Sequence, residues 1–192
     1  MGKQNNSMVN GLDYGPLVAL IGQWEGDKGM DVAPEPDDGV ERNPYRETLK
    51  FEAIGDATNA ESQILAVLHY HQVVNHTETG KEIHNETGYW MWDKDNDTVM
   101  HSLTIPRGLV LLAGGAAVED AQGAVCMTVE AQVAHETWGI VQSPFLTSNA
   151  KTMSYYQQLS VSGDQLKYSQ TMGLDIYGRN FEHTDNSTLY RV

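Results

Sequence analysis

Cysteine is nearly missing from this chain of 192 residues: Cys126 stands alone, so no disulfide can form within it. In "AVCMTVEAQV" it alternates with other small or apolar residues, the habit of a core side chain rather than a nucleophile. Basic residues are also scarce. Twelve Lys and Arg face 26 Asp and Glu, a net charge of −14, and no basic cluster exceeds two residues. A phosphate backbone or an anionic membrane surface requires the opposite balance, so neither nucleic acid nor membrane is expected as a partner. Long apolar runs are missing too. "PLVALIG" is too short for a signal core and has no small-residue cleavage site behind it, and "MGKQNNS" misses the myristoylation pattern at Asn6. The expectation is a cytoplasmic protein.

Proline is rare, at six residues, yet long helical periodicity is nearly absent. One short helical turn is expected at "YGPLVALIG", with Pro16 in its first turn. Beyond it, period-two alternation takes over. In "YRETLKFEAIG", Leu49, Phe51 and Ala53 share one face and Thr48, Lys50 and Glu52 the other. "QLKYSQTMG" repeats the habit with Leu166, Tyr168 and Met172. Turn signals at "ETGK" (78–81), "DKDND" (93–97), "EDAQG" (119–123) and "SGDQ" (162–165) imply hairpins between neighbouring strands. The reading is an all-β, single antiparallel up-and-down barrel of about ten strands spanning 1–192, with 1–13 as a flexible tail. About ten strands leave an interior cavity rather than a filled core. The acidic stretch 27–44 reads as a long functional loop.

No phosphate-binding glycine loop, nucleophile elbow or Cys/His pair is present. His69 and His71 share a face but have no third ligand for zinc. In "EIHNETGYW", His84, Glu86 and Gly88 share one face of a strand, which looks either into the cavity or out to solvent. "GQWEGDKG" sets Trp24 between Gly22 and Gly26, where a large ring can plug a barrel floor and glycines permit close backbone approach. His183 opens "HTDNSTLYRV", in a polar stretch before a strand-like tail.

Taken in order, "GQWEGDKG", "HNETGYW" and "HTDNSTLYRV" resemble the nitrobindin family of heme-binding barrels, from about Leu17 to the C-terminus. The resemblance implies a ten-stranded barrel with heme b at its open end. His183 is then the iron ligand, His84 a residue of the cavity wall, and Gly22, Trp24 and Gly26 part of a signature close to the ligand. It further implies a ferric iron with an open sixth position for nitric oxide or peroxynitrite, possible isomerisation of peroxynitrite to nitrate, and a monomer or homodimer. An acceptor on the second nitrogen of His183 would fix its tautomer, and Glu182 and Asp185 are the sequence neighbours placed to provide it. A barrel carrying a fatty acid or another small apolar molecule is the alternative.

Overall fold

A computed structural model describes residues 7–192. Of the expected tail, residues 1–6 lie outside the described part. The rest forms a small hairpin of β1 (Met8–Val9) and β2 (Leu12–Asp13), followed by a 3-10 turn over Gly15–Leu20. The barrel strands are β3 (Gly22–Pro34), β4 (Val40–Asn59), β5 (Gln63–His76), β6 (Glu82–Asp93), β7 (Thr98–Ile105), β8 (Leu109–Glu119), β9 (Val125–Val133) and β10 (Gly139–Gln142). A single helical turn, α1 (Pro144–Asn149), precedes β11 (Ala150–Ser162), β12 (Gln165–Ile176) and β13 (Arg179–Arg191).

Every one of these strands but β10 pairs antiparallel with both of its neighbours in one closed ring, and β13 returns to β3. The short β10 makes eleven: it runs antiparallel to β8 and parallel to the end of β9, at Gly139↔Gln132 and Ile140↔Val133. The sheet is therefore mixed at one point. The four turn signals fall between β5 and β6, β6 and β7, β8 and β9, and β11 and β12.

Inward positions follow the alternation. On β4, Tyr45, Glu47, Leu49 and Phe51 are all buried, with outward residues between them. On β12, Leu166, Tyr168, Gln170 and Met172 are the buried set. One end of the barrel is filled. Leu17 and Leu20 from the 3-10 turn join Trp24, Leu68, Leu103, Met127 and Leu189 in the core. Trp24 donates its indole N–H to the Leu20 carbonyl at 2.7 Å. The Arg191 guanidinium lies 4.0 Å from the Trp24 ring and bonds the Ile21 and Ala19 carbonyls. Val192 N–H reaches the Gln23 carbonyl at 3.0 Å. Apolar burial, a cation over an indole and main-chain pairing thus close the seam.

The stretch 27–44 is not a long loop. β3 and β4 stay paired through Asp31↔Asn43 and Pro34↔Val40, which leaves only residues 35–39 as a turn. Arg179 ties that turn down by donating to the carbonyls of Asp38 at 2.9 Å and Gly39 at 2.7 Å. The hairpin carries polar side chains on both faces, and this suppresses the alternation that marks the other strands. Among the described residues, no helix is long and apolar enough to cross a membrane.

Candidate functional site

The strand ends opposite Trp24 surround a cavity of about 670 Å³. It is lined by the far end of β3, the start of β4, the end of β5, the start of β6, and the facing ends of β12 and β13, with Leu146 of α1 at the side. The size lies within the range of ordinary ligand pockets. His84 and His183 both line it. Gly22, Trp24 and Gly26 do not: they sit at the filled end, where Trp24 is fully buried. A Cβ on Gly26 would meet the Thr188 carbonyl at 2.7 Å, so this glycine serves the approach of β13. The last glycine of the signature, Gly29, bears on the cavity indirectly. A Cβ there would lie 1.9 Å from the ring of Tyr45, a cavity-lining residue.

His183 is not in a loop before a strand. It sits within β13, opposite Met172 of β12. Its side chain is 28% exposed, and its Nε2 lies 2.5 Å from Asp31 Oδ1 and 3.8 Å from Asp185 Oδ2. Glu182, one residue earlier, falls on the outer, exposed face of the strand. The acceptor on His183 is therefore Asp31, whose other oxygen takes a hydrogen bond from Asn43 Nδ2 at 2.9 Å. Sequence reasoning missed Asp31 because its segment looked like loop. The available signal was the spacing of Gly29 and Asp31, two apart on one face of a strand.

Electrostatics here are those of two carboxylates around one imidazole. Burial alone would lower the pKa of His183, but the hydrogen bond to Asp31 and the negative charge of Asp185 outweigh it and raise it. Burial would likewise raise Asp31, yet the His183 hydrogen bond holds it below the usual range. Asp185, left without a direct partner of that strength, is pushed up to about 7, chiefly by burial.

His84 faces the same cavity and is inward, as is its neighbour on that face. Its Nε2 lies 3.1 Å from Glu86 Oε2. Glu86 is 2% exposed, and Tyr70 donates its phenol hydrogen to Oε1 at 2.6 Å. Burial opposes both charges, but the pair prevails: His84 is raised and Glu86 lowered from their ordinary values. A second buried carboxylate behaves in the opposite way. Glu47 accepts only from neutral donors, Gln72 at 2.5 Å and Tyr168 at 3.0 Å, and burial raises it. A charged partner, rather than depth, separates the two.

Below the cavity floor His101 is 1% exposed, stacked on Trp90 with ring centroids 4.4 Å apart. His69 and His71 point outward, to Thr87 and Asn85 at 3.0 Å each.

The model of the THAP4-like, heme-binding beta-barrel domain matches residues 13–191. The chain belongs to that family. This is the nitrobindin family that the three motifs resemble. A solved structure, Rv2717c from M. tuberculosis, is similar to the chain with a TM-score of 0.65 at 20% identity, covering 92% of this chain and 97% of that one. At that identity the likeness concerns the fold alone. No curated protein sequence matches the chain.

Proposed function

We propose that this barrel binds heme b in its open-end cavity, with His183 as the protein ligand to iron, and that the iron would take a small ligand such as nitric oxide or peroxynitrite. The observation that carries the reading is the place of His183, an imidazole on the wall of a cavity of about 670 Å³ in a chain of a heme-binding family. The residues fit the group under one condition. Nε2 is held by Asp31, so His183 serves as the ligand when Asp31 releases that nitrogen. Lys81 and Arg107 also line the cavity and supply the cations that heme carboxylates require.

Bound heme would supply an iron able to take a diatomic or peroxo-anion ligand. The chain supplies the surroundings. His84, fixed by Glu86 and Tyr70, offers a cavity-facing imidazole that can donate a hydrogen bond to a negatively charged ligand. A fatty acid is the poorer occupant, because the lining includes Asp31, His84, Arg107, His183 and Asp185, whose desolvation no alkyl chain offsets.

The test is hemin titration followed in the Soret region. One equivalent should shift the band of the native chain, and His183→Ala should lose the shift. An equal shift in both removes His183 from the reading. Nitrate yield from peroxynitrite, measured on the hemin-loaded protein, then decides the isomerase activity.

A further inference from the structure

Asp31 and Asp185 are Cα partners across the β3–β13 ladder, and both line the cavity. Two carboxyls directly opposite across strands repel when both are ionised, the more so in a wall where the two side chains are only 15% and 23% exposed. Among the described residues neither is in an ion pair with a Lys or Arg; the ion pair of each is with His183. His183 is two residues from Asp185 and therefore on the same face of β13. One ligand atom from each of the three lies within 4.8 Å of the others.

We propose that Asp31, His183 and Asp185 form a site for one divalent transition-metal cation of the Mn²⁺, Co²⁺ or Zn²⁺ class, exclusive with heme. The donor set is one imidazole nitrogen and two carboxylate oxygens, which such cations accept and which Mg²⁺ or Ca²⁺ suit less well. Asn43, bonded to the far oxygen of Asp31, leaves the near oxygen aimed at His183 and holds the carboxylate in place. A cation between the three relieves the opposed carboxylates, which a heme iron on His183 does not. Its remaining coordination positions open into the cavity, where water or an oxyanion can bind. The inference deepens the heme reading only in sharing His183, and makes Asp31 the residue that decides which occupant the imidazole takes.

The experiment is Co²⁺ titration of chelator-treated, heme-free protein, read by calorimetry and by the visible d–d bands of the ion. Saturable uptake of one Co²⁺ per chain is expected, weakened about tenfold or more in Asp185→Asn and in Asp31→Asn. Each variant's thermal transition checks that it folds. Excess Zn²⁺ should slow hemin uptake by the native chain and have less effect on Asp185→Asn. No saturable uptake by the native chain, or equal affinity in folded Asp185→Asn, overturns the proposal. Hemin titration of the same native sample separates the two readings: Co²⁺ without hemin sinks only the heme reading, and hemin without Co²⁺ sinks only this one.

Discussion

His101 illustrates how a single side chain sets a pH limit. Its ring is sealed between Trp90 and Tyr155, and burial lowers its pKa to about 4. In the unfolded chain it would take up a proton near pH ~6.5. Because the folded value lies below the unfolded one, its neutral form costs nothing above pH ~6.5, and stability falls as pH drops from there toward 4. The shift corresponds to roughly 3 kcal/mol. His101→Phe keeps a ring over Trp90 and should flatten this part of the Tm-versus-pH curve, measured by circular dichroism from pH ~7 to ~4. A slope unchanged in the variant would assign the acid loss to other groups. Gly29 makes a steric counterpart. Tyr45 is 1% exposed with its hydroxyl 2.7 Å from that of Tyr168, so its ring cannot turn away from an added methyl at no cost. Gly29→Ala should lower stability by about 1–3 kcal/mol in a denaturant titration.

At the scale of elements, the turn of the β3–β4 hairpin is tied to the start of β13 by one side chain. Arg179 donates to three carbonyls of the turn, those of Glu35, Asp38 and Gly39. Arg179→Ala should speed amide exchange of Glu35, whose N–H bonds the Gly39 carbonyl at 3.1 Å, by about tenfold or more. Unchanged exchange would mean that the strand ladder alone holds the turn. This hairpin also shows where reading the sequence stops. Strands such as Tyr45–Phe51 and Leu166–Met172 announce themselves because one face meets the core and the other meets water. The far ends of β3 and β4 have no such contrast, so Asp31 passed for loop. β10 is only Gly139–Gln142, too short for any period to register. His84 and His183 were legible as candidates from motif order. Glu86, the partner of His84, was legible two residues along the same strand face, whereas the match of Asp31 to His183 comes from strands joined across the barrel closure, 152 residues apart.

For the molecule as a whole, the charge of −14 is the dominant long-range fact. Raising ionic strength from ~0.01 M to ~0.15 M shortens the Debye length from about 30 Å to about 8 Å. The self-repulsion of the acidic surface then weakens, and Tm should rise with salt. A Tm that is flat or falls over this range would show that attractive pairs such as Lys94–Asp13 outweigh the excess. The same field opposes anions at long range, so delivery of a negatively charged ligand should be faster at higher salt.

The stitching of Arg191 and Val192 onto the strand of Trp24 has a kinetic meaning as well. During synthesis, β3 to β12 can form hairpins one after another, but they remain an open, curling sheet with two bare edges. β13 supplies the closing edge and also the cavity's His183, so enclosure and the proposed ligand arrive in one step. Any occupant is therefore captured by a completed barrel, and a ribosome-stalled chain lacking β13 should be an aggregation-prone precursor.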